Sequence, residues 1–329
     1  MSLTFSNDDN GNKPLYYLPV TLSANDGNGF QQKIDFDAST YSSYLSSTVS
    51  NINFQDGAGN LLYSWQETHA PTTSSTDVIY WLKLPNATIT TVYIVFVATT
   101  ASSISATHTG AEPNYSATYG QYDTGASVFS TLYQNFTGTS TPSGWSTSGT
   151  VTVDNGVEID ATDAYITTSA TYGVNTAQIL DFYASWSSTT GTANMPVGYG
   201  IYGTNQAVGV AAYNPNAYDG AYLLVGGGTV IDGTSWTNVP SLNVYSVYYP
   251  SETSQSATQN YANELTSSTS TGQTTVPIAF SAQNGGTAHQ ANLQWIRIRT
   301  YPSGGTMPTT SFGTVTAITS SFVSLLMAM

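Results

Sequence analysis

Cysteine is absent from this chain, and basic residues are almost absent. Without cysteine the chain has no disulfide, no zinc–thiolate site and no thiol nucleophile. Its only lysines and arginines are Lys13, Lys33, Lys83, Arg297 and Arg299. Five cations cannot form the basic patch that binds a phosphate backbone, so no nucleic-acid partner is expected.

Charge of either sign is scarce. Charged residues make up 7% of the chain, against about 25% in ordinary soluble domains. Formal net charge is −14 at pH 7, and once the carboxylates are protonated the 5 Lys and Arg with the 3 His leave about +8. The polar surface must therefore consist of hydroxyl, amide and phenol groups. Because hydroxyls and amides do not titrate, we expect a surface that tolerates an acidic exterior.

Long apolar runs are also missing. The most apolar stretch is the C-terminal Val315 to Met329, which is shorter than the roughly 20 residues that span a bilayer. Met1 to Asn12 is polar and lacks the charged and apolar regions of a signal peptide. No membrane span is expected, and an extracellular or virion-surface location would follow from a trimmed precursor, virion assembly or lysis.

The residues that are abundant favour strands. Thr, Val, Tyr and Ile fit pleated strands, and the 24 Tyr are unusually many. Asn51–Gln55 and Leu61–Glu67 flank a Gly-rich turn and are predicted to form a hairpin, while Phe36 to Val49 is predicted to hold one or two helical turns. The other predicted strands are Tyr16–Ser23, Asp77–Leu84, Thr91–Ala98, Thr150–Ile159, Ala177–Trp186, Val197–Tyr202, Val208–Tyr213, Ala221–Val225, Asn243–Tyr249, Val276–Ala282 and Leu293–Tyr301.

A change in composition predicts the domain organisation. From Thr99 to Ser127 the chain becomes Ser-, Thr-, Gly- and Ala-rich with little periodicity, which is typical of a connector. The fold class is therefore predicted as all-β, with two β-sandwich, jelly-roll-like domains at 1–126 and 127–313. An apolar C-terminal strand or tail follows at 314–329.

The first domain resembles a known family. Residues Leu15 to about Thr99 resemble the DUF2341 family, an extracellular β-domain. The motifs that carry the resemblance are Tyr17-Leu18-Pro19-Val20-Thr21-Leu22, Asn53 to Tyr63, Tyr80-Trp81-Leu82-Lys83-Leu84-Pro85 and Thr91-Val92-Tyr93-Ile94-Val95-Phe96. In that family the last strand runs into Tyr-Gly, whereas here it runs into Val97-Ala98-Thr99.

The second domain looks like a concanavalin-A-like (laminin-G-like) sandwich. The motifs are Phe136-Thr137-Gly138 leading to Trp145, then Gly149 to Val153, and Trp295 to Pro302. Together the two resemblances imply surface display, as in archaeal cell-surface or archaeal-virus structural proteins, and they imply no catalytic residue.

One carboxylate pair is the strongest indication of an enzyme. Glu158 and Asp160 would share a strand face, as the carboxylates of jelly-roll retaining glycosidases do. The next position on that face is Thr162, however, and Asp163 is out of register. We interpret the segment as a polar strand end leading into a turn, and predict that the protein is not an enzyme.

Metal ligands and cofactors are not predicted. Asp8 to Asn12 offers alternate oxygens like a calcium loop, but Lys13 stands where that loop needs Gly and Pro19 where it needs Glu. A frayed polar terminus is favoured instead. The three histidines lie far apart, and none has a second ligand at metal spacing: His69, His108 and His289.

Aromatic and amide side chains are the predicted contacts. Exposed tyrosines stack on sugar rings and are enriched in protein interfaces. The candidate glycan or partner contacts are Tyr213, Tyr218, Tyr222, Tyr248 and Tyr249, and the candidate glycosylation sites, each in an Asn-x-Ser/Thr sequon, are Asn86, Asn114 and Asn135.

The apolar tail predicts assembly. Left exposed, Phe322, Val323, Leu325, Leu326 and Met327 would promote aggregation, so we expect the tail to dock on another subunit through strand addition. The sequence favours a structural or adhesive subunit on a virion or cell surface, with a homo-oligomer or other surface proteins as partners. The alternative is a carbohydrate-binding module that recognises surface glycans.

Overall fold

The fold is all-β, as predicted, and the chain divides into two units. The computed structural model describes residues 3–159, 163–173, 177–186, 196–201, 204–212, 221–226, 229–231, 236, 241–282 and 291–319. The first unit comprises 1–128 together with 304–329, and the second comprises 129–303.

The strands up to residue 128 belong to the first unit. In chain order the elements are β1 (Tyr16–Leu22), β2 (Gln31–Phe36), a 3₁₀ turn (Ser42–Tyr44), β3 (Ile52–Gln55), β4 (Ser64–Gln66), β5 (Val78–Lys83), β6 (Thr91–Phe96), β7 (Thr109–Ala111) and the one-turn helix α1 (Gly125–Val128). The 3₁₀ turn lies in the stretch predicted to be helical.

The second unit follows, and the chain then returns to the first. The second unit contains β8 (Leu132–Gln134), β9 (Trp145–Ser148), β10 (Val151–Val153), β11 (Val157–Ile159), β12 (Tyr165–Gly173), β13 (Gln178–Trp186), β14 (Val197–Tyr199), β15 (Val208–Ala212), β16 (Ala221–Val225), β17 (Thr229–Ile231), β18 (Asn243–Ser251), β19 (Ser254–Gln259), β20 (Ala262–Ser267), β21 (Thr275–Ser281) and β22 (Ala291–Thr300). The last strands are β23 (Thr310–Phe312) and β24 (Thr316–Ala317).

The first unit is a two-sheet sandwich. One sheet has the order β23-β1-β6-β3, with β24 also paired to β1, and the other has the order β2-β5-β4-β7. Alternation along β1 directs Leu18, Val20 and Leu22 into the core, where they meet apolar residues of the second sheet such as Ile34 and Tyr80. The predicted hairpin forms only next to its turn. Gln55 bridges Leu61 in antiparallel fashion and Leu62 N–H donates to the Phe54 carbonyl at 2.8 Å, but β3 and β4 then lie in different sheets.

The predicted connector is packed rather than extended. β7 pairs in parallel with β4, and the segment that follows covers the outer side of this sheet. The Trp65 indole donates to Asp123 Oδ1 at 2.9 Å, and the Thr124 hydroxyl donates to the Ser64 carbonyl at 2.7 Å. Trp65 and Trp81 are both fully buried. Thr99–Ser127 is therefore part of the first unit.

The C-terminal segment also belongs to the first unit. Val20 pairs with Phe312 and Tyr16 with Ala317, so β23 and β24 extend the sheet beside β1. The sequence assigned residues 304–313 to the second domain and 314–329 to a separate tail. Strand pairing places 304–319 in the first unit instead, while the apolar residues 322–327 lie outside the described part of the chain.

The second unit is a larger two-sheet sandwich. One sheet has the order β10-β11-β22-β13-β18-β19-β20 with β8 beside β22, and the other has the order β17-β16-β15-β14-β21-β12-β9. Leu180, Phe182 and Ile296 of the first of these sheets pack against Val210 and Ile278 of the other in one core. Consecutive strands often change sheets, as in jelly rolls.

A glycine in the first unit tests whether the connector is packed. A Cβ built on Gly110 would lie 2.1 Å from Thr124 Oγ1, whereas one on Gly304 would meet nothing within 4 Å. Gly110→Ala should lower the free energy of unfolding by about 1–3 kcal/mol through overpacking, measured by urea denaturation. Gly304→Ala is the control, and its effect should stay within about 0.5 kcal/mol. Equal effects of the two substitutions would mean that residues near 124 do not cover β7.

Candidate functional site

The predicted contact tyrosines do not form one surface. Tyr249 is 2% exposed and lies in the core of the second unit, which corrects its prediction as a surface contact. Tyr248, one residue earlier, faces the other side of the sheet and stacks on Tyr301 with ring centroids 3.8 Å apart. Tyr213, Tyr218 and the side chain of Tyr222 lie outside the described residues.

The outer side of the β13–β22 strand pair carries a buried charge cluster. Asp181 lies on β13 directly opposite Arg297 on β22. Asp181 Oδ2 accepts hydrogen bonds from Arg297 Nε at 3.0 Å and from Arg299 Nε at 2.8 Å. Asp181 and Arg297 are fully buried, and Arg299 is nearly so. The two arginines of the chain thus converge on one carboxylate.

Aromatic rings enclose this cluster. The Arg297 guanidinium lies 4.3 Å from the centre of the Phe129 ring and 4.7 Å from that of Trp295, positions typical of cation–π contacts. Tyr183 stacks on Trp295 with ring centroids 5.6 Å apart. The rings replace water around Arg297, so the ion pair acts in a poorly hydrated environment.

A tight turn closes over the cluster. Asn260 and Tyr261 join β19 to β20, with φ values of 49° and 62°. Positive φ at both central residues is the geometry of a type I′ hairpin turn, which Tyr rarely adopts. The Tyr261 hydroxyl accepts a hydrogen bond from Arg297 Nη2 at 2.8 Å, and this bond offsets the backbone strain.

The cluster is a stabilising element rather than a reactive centre. Asp181 Oδ1 and the hydroxyl of Ser246, on the neighbouring strand, have no hydrogen-bond partner within the described residues. Both atoms are shielded from solvent, so a substrate has no access to them. Removing one partner of a buried ion pair typically costs about 3–5 kcal/mol because the other charge is left unpaired. The cluster therefore disfavours any other register of β13 and β22, in which Asp181 and Arg297 would no longer be opposite each other.

A partly exposed aromatic surface lies in the first unit, and the sequence analysis missed it. On the outer side of β1 and β6, the Phe5 ring stacks on Tyr17 with centroids 4.8 Å apart and meets Tyr93 edge-on at 5.3 Å. Phe5, Tyr17 and Tyr93 are half-buried, and Leu3 beside Gly57 is 41% exposed. We call Leu3, Phe5, Tyr17 and Tyr93 the aromatic face. The sequence does contain a signal for it. In β1 and β6 the core residues alternate with others, and Tyr17 and Tyr93 occupy outward positions in that alternation.

Two turns of the first unit share one hydrogen-bond pattern. In Asp8-x-x-Gly-Asn12 and in Asp56-x-x-Gly-Asn60, Oδ1 of the aspartate accepts from the backbone N–H of the asparagine, at 2.8 and 2.9 Å, and Oδ2 accepts from its side-chain amide, at 2.9 and 2.8 Å. Each glycine has a positive φ, 79° and 87°. The predicted frayed terminus is therefore a closed turn, and the spacing Asp-x-x-Gly-Asn could have revealed it.

Other carboxylates of the first unit also accept from neutral or weakly basic donors. Glu67 accepts from the Trp81 indole at 2.8 Å, and Glu112 lies 2.7 Å from the His69 ring nitrogen. Within the described residues, no three His, Asp or Glu side chains are grouped so as to hold a metal ion. Glu158 of the proposed glycosidase pair lies between core residues of β11 and points outward, and Asp160 lies outside the described residues.

The predicted glycosylation sites differ in local geometry. Asn86 and Asn135 each accept hydrogen bonds from the backbone N–H and the hydroxyl of the sequon threonine, with hydroxyl distances of 2.7 and 2.9 Å. Asn114 is exposed, and its backbone N–H donates to Glu112 at 2.8 Å. Asn86 and Asn114 are exposed and Asn135 is half-buried.

An acid pair lies beside Lys33. Burial, together with the hydrogen bond and negative charge of Asp77, raises the pKa of Asp35 to about 6, and Lys33 opposes this rise from 3.8 Å away. The protonated carboxyl donates a hydrogen bond that the ionised form cannot. The stabilisation from protonated Asp35 is therefore complete below pH 3.8 and is lost as the pH rises through about 6.

Comparison with known proteins shows no family. No protein-family model matches the chain, so nothing beyond the motifs supports the resemblance to DUF2341. No curated protein matches either. The described part of the chain contains no helix long and apolar enough to span a membrane.

Similar solved structures are β-sandwiches at low identity. An endo-acting O-glycanase of the human gut microbiota that initiates mucin breakdown is 9% identical and covers 51% of this chain and 98% of its own, with a TM-score of 0.40. The carbohydrate recognition domain of Emp46p is 9% identical and covers 48% and 88%, with a TM-score of 0.36. A glycosyl hydrolase family protein from Mycobacterium fortuitum is 11% identical and covers 51% and 98%, with a TM-score of 0.36. At such scores the likeness carries no argument about function.

The acid pair gives a pH-dependent prediction. Asp35→Asn should stabilise the protein at pH 7–8, because the folded protein then no longer carries an ionised carboxylate at position 35 next to the negative charge of Asp77. A rise of about two units in the pKa of Asp35 corresponds to about 3 kcal/mol. Because the side chain is 49% exposed, screening by solvent reduces this to on the order of 1 kcal/mol. At pH 3 the substitution should have no effect on the free energy of unfolding, measured by denaturant titration.

Asp37→Asn is the matched control with the opposite sign. Hydrogen bonds from Ser39 and Thr40 hold the pKa of Asp37 below its usual value, so its contribution is present above pH 3.8 and is lost as the pH falls through the lowered folded-state pKa. The Asn variant should be less stable than the parent at pH 7 and equal to it once Asp37 is protonated. A destabilising Asp35→Asn at pH 8 would contradict the assignment of the acid pair.

Proposed function

We propose that this protein is a non-enzymatic structural or adhesive subunit, displayed on a virion or cell surface, that makes contacts through neutral aromatic and hydroxyl groups. The observation that carries the proposal is the aromatic face. Phe5, Tyr17 and Tyr93 form a neutral, partly exposed cluster on the solvent side of a sheet. Aromatic residues of this kind supply large contact area with little loss of side-chain entropy.

The use of the carboxylates supports the same proposal. Asp8, Asp56, Glu67 and Asp123 are held by amide, hydroxyl or indole donors of the first unit. Each of these carboxylates serves as an acceptor that fixes a turn, a loop or an indole ring in place. The aromatic face itself carries no charged side chain, so its contacts change little with pH. These features suit an exterior position, including an acidic one.

Surface display is tested on the native source. Antibodies raised against the purified protein should label intact virions or unpermeabilised cells, seen by immunogold electron microscopy. An antibody against an abundant internal protein is the control for intact particles. Labelling that occurs only after lysis would refute surface display.

Carbohydrate binding is the second candidate function, and the aromatic face favours it specifically. Stacked tyrosine rings with hydroxyl groups at their edges match the apolar faces and hydroxyls of pyranose rings. In this case the aromatic face is the ligand site, and the protein is a glycan-recognition module.

A glycan array separates the two functions. If the protein is a glycan-recognition module, the wild type should give defined hits, and Tyr17→Ala and Tyr93→Ala should each weaken them at least tenfold by loss of stacking. Tyr63→Ala is the matched control, because Tyr63 is 41% exposed but stacks on His108. The absence of defined hits, or equal losses in all three variants, would exclude glycan binding at the aromatic face.

A further inference from the structure

The sheet of the first unit ends in an unusual edge. Among the described strands, β23 and β24 lie at the end of their sheet, each paired with β1 alone. Ser311, Gly313, Thr316 and Ala317 are exposed. Edge strands in natural proteins are commonly protected by charged side chains. From Thr300 to Met329 this chain has no Asp, Glu, Lys, Arg or His.

The backbone of this edge is available for pairing. Gly313 N–H donates to the Pro19 carbonyl at 2.9 Å, and the Thr309 carbonyl accepts from Ser23 N–H at 2.9 Å. In an antiparallel ladder alternate residues bond to one neighbour. The odd-numbered residues of β23 therefore face β1, and the N–H and C=O groups of Thr310 and Phe312 point away from it.

The core also reaches this edge. Tyr41, Met307, Phe312 and Val315 are only partly buried, although they pack against the core of the first unit. The Phe312 ring lies 6.3 Å from that of Tyr41. An added strand with an apolar side would cover these residues and complete the core.

We propose that residues 320–329 of one copy add as a strand to the β23–β24 edge of a second copy, and that the exchange is reciprocal and forms a dimer. This proposal rests on the proposed function as a structural subunit, and it identifies the partner as a second copy of the same chain. The ten residues from Ser320 to Met329 extend to about 33 Å, enough to cover the eight positions from Thr310 to Ala317, about 26 Å.

Composition and position favour this occupant. The Leu15 carbonyl accepts from Ile318 N–H at 2.8 Å, so the chain is still at this edge two residues before the segment begins. In an extended strand Val323, Leu325 and Met327 share one side, which is apolar from residue 323 onward. This side matches the partly buried core residues. Two copies related by a twofold axis present the same edge and segment to each other, and such an interface is closed.

The test is the mass of the full-length protein in solution, by sedimentation velocity. The wild type should have twice the monomer mass of 34.8 kDa. Leu325→Asp places a charge on the apolar side and should shift the protein to monomer, with a dissociation constant raised at least a hundredfold. Ser324→Asp adds the same charge on the other side of the strand and should leave the dimer in place.

The acceptor edge is tested separately. Thr310→Pro removes an N–H that points away from β1 and should abolish the dimer. The resulting monomer should have the same melting temperature as the monomeric Leu325→Asp variant, because the removed N–H makes no bond within the monomer's own sheet. A monomeric wild type, or a dimer that survives both Leu325→Asp and Thr310→Pro, would overturn the proposal. Either result leaves the immunogold labelling unaffected, so failure of this inference is distinguishable from failure of surface display.

Discussion

The structure depends on satisfying carboxylates without cations. The chain has 19 acidic residues and 5 lysines and arginines, so most carboxylates have no cation to pair with, and several accept from amide, hydroxyl or indole donors instead. Hydrogen bonds from backbone N–H groups to an ionised carboxylate are strong, and the chain uses them to close loops. Asp8 and Asp56 do so in the same way, each fixing a five-residue turn. Asp123 fixes the predicted connector over Trp65.

The exceptions follow the same constraint. Where two carboxyls meet, as at Asp35 and Asp77, burial together with the hydrogen bond and charge of Asp77 raises the pKa of Asp35 to about 6. The two arginines of the chain are placed at a single site. Arg297 and Arg299 both bind Asp181 in a site enclosed by aromatic rings, which leaves three lysines as the other cations of the chain. The exterior is therefore poor in positive charge.

Two kinds of surface result. The outer side of β13 and β22 is aromatic and charged but closed to solvent, so it holds strands in register. The aromatic face of the first unit is neutral and partly exposed, so it can contact a partner. The β23–β24 edge adds a third surface, at which the backbone itself offers hydrogen bonds. Each of these depends on alternation along strands, because successive residues face opposite sides of a sheet.

The sequence by itself determined the all-β class and the strands with alternating apolar residues. Tyr16–Leu22, Val78–Lys83 and Thr91–Phe96 match predicted strands within two residues, because burial of one side leaves a period of two in the sequence. The hydroxyl-rich strands β12, β19 and β20 were missed, since their sequences lack a regular alternation of apolar residues. Their strand conformation follows from pairing with neighbours.

Only the tertiary structure decided which strands pair and which tyrosines are exposed. β3 and β4 flank a turn but join different sheets, and β23 returns to β1 from almost 290 positions away along the chain. Tyr248 and Tyr249 are adjacent, yet one faces outward and the other lies in the core. The physical reason is that a strand's hydrogen bonds and its two sides are satisfied by distant segments, which composition and local periodicity do not specify.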